Sequence, residues 1–217
     1  VMTLKIREPG SAITHFIAML LALFSAAPLL VRTSLRSGST SLAAMSVFIC
    51  SMILLYGAST LYHSVNASGK IIRIFKKLDH MMIFILIAGT YTPVCLITLK
   101  GPVGFLLLAA VWGIALTGII IKACWISCPK WFSSALYISM GWICLSVFGT
   151  LWKLLPHAAF FWLLAGGIIY TAGGIIYALK LPIFNARHKF FGSHEIFHLF
   201  VMAGSLCHFI FMFVYLA

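Results

Sequence analysis

Long apolar runs separated by short polar connections make up most of this chain. Each run is close to the roughly 20 residues that cross a bilayer as a helix, and backbone groups in lipid must pair within their own segment. The first run is longer than the apolar core of a signal peptide, so we interpret it as a span. The pattern therefore predicts an all-α fold, a seven-transmembrane helix bundle formed by residues 1–217 as a single domain. The runs lie at about 12–31, 42–63, 78–98, 102–121, 132–151, 158–179 and 192–216.

Composition favours a membrane protein over a soluble one. Hydrophobic residues make up 63% of the chain and charged residues only 8%, whereas about a quarter of the residues in a soluble domain are charged. The formal net charge of +12 does not indicate nucleic-acid binding, because the basic residues lie in the connections, where membrane proteins concentrate them. We therefore expect a multi-pass protein of the cell membrane, with membrane lipids and no nucleic acid as partners.

The distribution of Lys and Arg predicts the orientation of the bundle. If the amino terminus is cytoplasmic, 11 of these residues lie on the cytoplasmic side and 4 lie outside. The positive-inside rule then predicts a cytoplasmic amino terminus and an external carboxyl terminus, opposite to the orientation of G-protein-coupled receptors. The cytoplasmic set is Lys5, Arg7, Lys70, Arg73, Lys76, Lys77, Lys122, Lys130, Lys180, Arg187 and Lys189.

Three histidines are predicted to meet at the cytoplasmic side of the bundle. His194 and His198 lie four residues apart at the start of the seventh run, so a helix places them on one face about one turn apart. His63 closes the second run, which ends on the same side of the membrane in the predicted topology. Ser59 precedes His63 by one helical turn, and Asp79 enters the third run at the same depth.

The residue types in this group favour a zinc site. Three imidazoles with one open position recur at catalytic zinc centres, and imidazole without thiolate suits Zn2+. We therefore predict His63, His194 and His198 as metal ligands and Zn2+ as the cofactor. Asp79 and Ser59 are the candidate catalytic residues, because a carboxylate can take a proton and a hydroxyl can orient a water. The spacing alone leaves a second interpretation open, in which the histidines are hydrogen-bonded within the bundle and bind no metal.

The acidic residues offer two further alternatives. The chain has three, Glu8, Asp79 and Glu195, and an ionisable group in a membrane is costly enough to be a functional hypothesis. Residues 194–198 spell H-E-x-x-H, as in soluble zinc proteases whose Glu is the general base. Glu195 is therefore an alternative base to Asp79. In the other alternative, Asp79 and Glu195 are interfacial charges balanced by nearby lysines.

Four motifs spread over the chain carry a family resemblance. They are EPGSAITH at 8–15, Ser59-x-x-x-His63, LDHMMIFILIAGTYTP at 78–93 and SHEIFHLFVMAGSLCHF at 193–209. With them the chain resembles the bacterial hemolysin III group of the PAQR (progestin and adipoQ receptor) family, which includes the adiponectin receptors. The resemblance implies a seven-helix fold and zinc near the cytoplasmic side. The zinc ligands of the family fall on His63, His194 and His198, while Asp79 and Ser59 match residues that hold a zinc-bound water.

The same resemblance implies an activity. Adiponectin receptors are similar at the last motif but carry Gln where this chain has Glu195, which makes the protease spelling a coincidence of spacing. Similarity to ceramidase-like proteins implies zinc-dependent hydrolysis of a lipid amide or ester from the cytoplasmic leaflet. Two alternatives stay open: a membrane-homeostasis sensor or regulator with a structural zinc, and a membrane-lytic, hemolysin-like protein.

Other polar residues in the apolar runs receive structural interpretations. We expect His15, in the first run, to pack or to form a hydrogen bond. The six cysteines include no Cys-x-x-Cys pair, so neither a zinc ribbon nor a redox motif is indicated. Cys124 and Cys128 lie in a predicted cytoplasmic connection and are expected to be reduced.

Overall fold

The structure, a computed structural model, describes residues 6–179 and 191–217 and confirms the predicted helical fold. Seven of its helices are long and apolar enough to cross a membrane, and the described residues form no β-strand. We call these helices spans 1 to 7 in chain order. They are Pro9–Arg36, Ser39–Ser64, Gly69–Leu99, Gly101–Cys124, Lys130–Leu154, His157–Leu179 and Ser193–Leu216.

Span 3 is longer than the apolar run that predicted it. The run begins at Leu78, whereas the helix begins at Gly69. Hydropathy detects only the part of a helix that lies in hydrocarbon, and long basic side chains let the helix continue into the headgroup region. The additional turns carry Lys70, Arg73, Lys76 and Lys77.

Three spans depart from regular α-helical hydrogen bonding. Span 3 changes to a π-helical stretch at Val94–Leu99, span 5 contains the 3-10 stretch Trp142–Val147, and span 7 ends in the π-helical Met212–Leu216. The change in span 3 follows Pro93 directly. Proline has no backbone N–H to donate, so the hydrogen-bond pattern must change at this position.

The spans pack in chain order, and span 7 closes the ring by packing against span 1. Fully buried side chains such as Phe48, Tyr56 and Phe84 fill the interior. Large apolar side chains also point outward: Phe24 is 77% exposed and Leu106 74% exposed. Such an apolar exterior is what lipid, and not water, accommodates.

Successive spans alternate in direction, so spans 1, 3, 5 and 7 begin at the end of the bundle where spans 2, 4 and 6 finish. We call this the amino-terminal end. There, the Glu8 backbone N–H donates to the carbonyl of His63 over 3.0 Å, and Lys77 donates to the carbonyl of Ala123. The side of the membrane that this end faces stays a prediction. Four residues used for that prediction lie outside the described residues: Lys5, Lys180, Arg187 and Lys189.

Candidate metal centre

The three histidines predicted as ligands come together at the amino-terminal end. The Nε2 atoms of His63 and His194 lie 3.3 Å apart. One ring nitrogen from each of His63, His194 and His198 lies within 4.8 Å of the other two. His63 comes from the last turn of span 2, and the other two come from the first turns of span 7. This arrangement could hold a metal ion.

Polar residues at the start of span 1 fix two of these rings through Nδ1. The carboxylate of Glu8 is hydrogen-bonded to His63 Nδ1. The hydroxyl of Thr14 lies 3.1 Å from His198 Nδ1 and 2.9 Å from the carbonyl of Ser11. Thr14 therefore donates to its own helix and accepts from the imidazole. With the proton on Nδ1, each ring presents an unprotonated Nε2, which is the atom a metal needs.

Glu8 is a carboxylate in this setting. Hydrogen bonding to the His63 ring, opposed by partial burial and aided by the charges of His63 and Arg7, holds the pKa of the Glu8 carboxyl below its usual range. Arg7 Nε lies 3.3 Å from the Glu8 carboxylate, and the Arg7 guanidinium lies 4.2 Å from the centroid of the Tyr62 ring. Glu8 is thus an anionic acceptor on the outer side of a candidate ligand.

His15 packs on the third ligand candidate, as its position in the first run predicted. Its ring stacks on His198 with centroids 3.5 Å apart and planes 8° from parallel, and it meets the edge of Tyr56. Neither nitrogen of His15 has a hydrogen-bond partner among the described residues. Stacking therefore restricts the plane of the His198 ring in addition to the Thr14 contact.

Asp79 and Ser59, the predicted catalytic residues, are both buried at this end of the bundle. Asp79 Oδ2 lies 3.4 Å from His80 Nδ1, while Lys77 is bound to the carbonyl of Ala123 instead of balancing Asp79. The Ser59 hydroxyl has no hydrogen-bond partner in the part of the chain that the structure describes. A buried hydroxyl is ordinarily paired, often by ordered water, so Ser59 fits a site that holds water.

Glu195 has a structural role that occupies both of its oxygens. Oε1 accepts a hydrogen bond from the Ser11 hydroxyl, and Oε2 accepts one from the backbone N–H of Gly192 over 2.8 Å. The second contact caps the start of span 7, where a negative charge also suits the helix dipole. The first contact ties span 7 to span 1. These two hydrogen bonds favour a structural role for Glu195, as the cap of span 7, over a role as general base.

An apolar cavity extends from the histidines into the bundle. At one end its wall includes Asp79, His194 and His198, and at the other it reaches Leu151 and Phe160. The wall between these ends is mainly aliphatic and aromatic. The candidate metal centre therefore lies at the polar end of an elongated apolar space.

Glu8 and Thr14 were not predicted as parts of this site, although the sequence contained a signal for them. The motif EPGSAITH places Glu8, Ser11 and His15 three and four residues apart, and Thr14 lies three residues beyond Ser11. Residues at these spacings share one face of a helix. Four polar groups on one face of an otherwise apolar helix indicate a buried polar partner.

Sequence comparison relates the chain to proteins of bacteria and animals. It is 40% identical to "Hemolysin-3" of Bacillus cereus over 91% of this chain and 86% of that protein. It is 37% identical to "Hemolysin-3 homolog" of Bacillus subtilis (strain 168), over 91% and 89% of the two chains. A more distant relative is "Progestin and adipoQ receptor-like protein 1" of Caenorhabditis elegans, 26% identical over 93% of this chain and 50% of the relative.

These relatives agree with the resemblance carried by the four sequence motifs. Their similarity extends over most of the chain and is not confined to the histidine segments. The match to the family's sequence profile covers residues 4–209 and so includes all three histidines of the cluster. The chain therefore belongs to the haemolysin-III related family of multi-pass membrane proteins.

Proposed function

We propose that this protein binds Zn2+ through His63, His194 and His198. The observation that carries the proposal is the 3.3 Å separation of the Nε2 atoms of His63 and His194. Two nitrogens bound at 2.0–2.1 Å to one tetrahedral zinc ion lie about 3.4 Å apart. The Nδ1 partners add support, because zinc-binding histidines ordinarily donate their second nitrogen to a carboxylate or another acceptor.

We further propose that the metal serves hydrolysis of a lipid amide or ester. His63, His194 and His198 would hold the metal, which would lower the pKa of a water and polarise the substrate carbonyl when bound. The Asp79 carboxylate takes the proton of the attacking water and returns it to the leaving amine or alcohol. The Ser59 hydroxyl, which lacks another partner among the described residues, orients that water.

The apolar cavity supports a lipid as the substrate. An acyl chain would lie between the aliphatic and aromatic side chains of the wall, where its burial is favourable. Its carbonyl carbon would then lie at the polar end, beside Asp79, His194 and His198. Membrane lipids are therefore the proposed partners of this site.

The basic residues around the site support its location at the cytoplasmic leaflet. The first turns of span 3, at the same end of the bundle, carry Lys70, Arg73, Lys76 and Lys77. Positive residues are concentrated on the cytoplasmic side of membrane proteins. We therefore propose that the amino-terminal end faces the cytoplasm and that the carboxyl terminus lies outside.

Removal and return of the metal tests this function. The purified protein in detergent is assayed for metal content and then offered a panel of amide and ester lipids before and after chelation. We expect release of a fatty acid only from zinc-loaded protein, with recovery when zinc is returned. Zinc in stoichiometric amount without product from any lipid would favour a structural metal in a sensor or regulator. Absence of bound metal would contradict the whole proposal.

Replacement of Glu8 by glutamine is expected to weaken zinc binding about 10–100-fold, the range found when the hydrogen-bond partner of a metal-binding histidine is lost. The amide keeps the size of the side chain but removes the negative charge that faces His63 Nδ1. Affinity is measured by competition with a chelator of known affinity. Glu195→Gln is the matched control, because this acid caps span 7 without contacting a candidate ligand nitrogen. Wild-type affinity in Glu8→Gln would show that the carboxylate does not support the ligand.

A further inference from the structure

A second polar cluster lies where spans 4 and 5 meet, and it contains no residue of the candidate metal centre. Its centre is Lys122, whose side chain is buried with 1% exposure. Lys122 Nζ lies 3.1 Å from Cys128 Sγ and donates a hydrogen bond to the Ser133 hydroxyl. The Ser133 hydroxyl in turn lies 3.3 Å from Cys128 Sγ. The three side chains form a closed triangle of polar contacts.

A buried ammonium group is stable only with an anionic or strongly accepting partner. None of the ion pairs found among the described residues joins Lys122 to a carboxylate. Within the triangle, the Cys128 thiol is the group that can become an anion near neutral pH. Lys122 then donates to the sulfur and to Ser133, and the Ser133 hydroxyl lies within reach of the sulfur and of the Pro129 carbonyl, 3.4 Å away.

Electrostatics at Cys128 agree with this geometry. Burial alone raises the pKa of the Cys128 thiol, but hydrogen bonds from Ser133 and Lys122 and the charge of Lys122 outweigh burial, so the pKa lies below its ordinary value. Two tyrosines, Tyr137 and Tyr177, also interact electrostatically with the thiol. Phenols ordinarily ionise near pH 10, so neither adds negative charge at neutral pH.

The neighbouring cations also favour an anion at this position. Lys122 Nζ lies 5.9 Å from the centroid of the Tyr137 ring, and Lys130 Nζ lies 4.3 Å from that of Tyr177. Each tyrosine ring therefore has a lysine ammonium group packed on it, close to the cluster. Low-pKa cysteines are found in electropositive surroundings of this kind, and their thiolates are the reactive species.

We propose that Lys122 stabilises the thiolate form of Cys128 and that Cys128 is a site of covalent modification by small-molecule disulfides. The thiolate attacks one sulfur of the disulfide, so that a new S–S bond forms while the old one breaks. The departing thiolate takes a proton from water, and a second thiol reverses the reaction. Cys128 lies in the short connection at residues 125–129, between the exposed Ser127 and Pro129, and is itself buried with 8% exposure, so limited access slows its modification.

The pH dependence of alkylation tests the thiolate. Full-length protein in detergent is treated with iodoacetamide over a range of pH, and each cysteine is followed by site-resolved mass spectrometry. Restricted access of the reagent lowers the rate by the same factor at every pH and does not move the midpoint, so the midpoint reports the pKa. We expect the midpoint of Cys128 to lie below the midpoint measured in the same sample for Cys124, an exposed free cysteine four residues earlier.

Variants of the triangle sharpen the test. Lys122→Met is expected to raise the Cys128 midpoint, while Lys122→Arg keeps it low because the charge is retained. Ser133→Ala, which removes only one donor, is expected to raise the midpoint by less. Equal midpoints for Cys128 and Cys124 in the wild-type protein would overturn the proposal, and this comparison stands even if Lys122→Met does not fold.

Oxidised glutathione tests the modification itself. We expect a mixed disulfide to form at Cys128 at neutral pH, to form more slowly there in Lys122→Met, and to be removed by a small dithiol. Modification takes away the anion beside Lys122, so the melting temperature of the modified protein is expected to fall. Failure of Cys128 to form the mixed disulfide while Cys124 does so would contradict the proposed site.

Discussion

Replacement of His63 by alanine is expected to remove bound zinc from the purified protein. The variant keeps His194 and His198 on one helix but loses the ligand from span 2. We expect affinity to fall more than 100-fold, beyond the roughly 10–100-fold cost of losing only the hydrogen-bond partner of a ligand. The metal content after dialysis against a chelator measures the loss, and His194→Ala and His198→Ala are expected to behave alike.

The control for this experiment is His208→Ala. His208 is a buried histidine of span 7, and its Nε2 is paired with the carbonyl of Leu163 over 3.2 Å. Its loss removes an imidazole from the same helix without touching the cluster, so zinc is expected to remain. Zinc should also raise the melting temperature of the wild-type protein and of His208→Ala, because binding to the folded state stabilises it. Wild-type zinc content in His63→Ala would place the metal elsewhere.

The seven spans could be predicted because lipid restricts the backbone so strongly. A segment in hydrocarbon must be apolar, helical and about 20 residues long, and all three conditions are visible in the sequence. The start of span 3 was missed because those conditions end at the membrane surface. At the surface, water and lipid headgroups solvate the charged side chains of Lys70 and Arg73, so the helix can continue there. Hydropathy no longer marks where it begins.

The candidate ligands could also be predicted, because polar residues are few in the apolar runs. The four-residue spacing of His194 and His198 also places both on one face of a helix. The residues that support the ligands could not be assigned in the same way. Glu8 and His63 are 55 positions apart, and Thr14 and His198 are 184 apart. Periodicity shows which residues share a face, but the rotation of each helix against its neighbours depends on packing across the bundle.

Lys122 shows the limit of counting charges along the sequence. The orientation prediction treated it as one of several basic residues at the membrane surface. In the structure its side chain turns inward and meets Cys128 and Ser133, which lie beyond the end of its own helix. The positive-inside rule describes where lysines are enriched, but it does not say whether a particular ammonium faces water or a partner.

Asp79→Asn is expected to keep zinc and lose hydrolysis. The amide preserves the shape of the side chain at the polar end of the cavity but cannot accept the proton of the attacking water. General acid–base catalysis contributes about 10²–10⁴-fold, so the rate on a lipid that the wild-type protein hydrolyses is expected to fall by that factor. The measurement pairs the zinc content of the variant with its rate of fatty-acid release.

Two further variants give this result its meaning. Glu195→Gln is expected to keep most of the activity, because both oxygens of Glu195 are engaged in capping span 7 and joining it to span 1. Ser59→Ala is expected to lower the rate less than Asp79→Asn does, because it removes a hydrogen bond and not the proton acceptor. Full activity in Asp79→Asn would leave the hydrolysis without its base. If Asp79→Asn loses zinc together with activity, the Asp79 carboxylate helps to hold the metal. If the variant keeps zinc and loses only activity, the imidazoles hold the ion without Asp79.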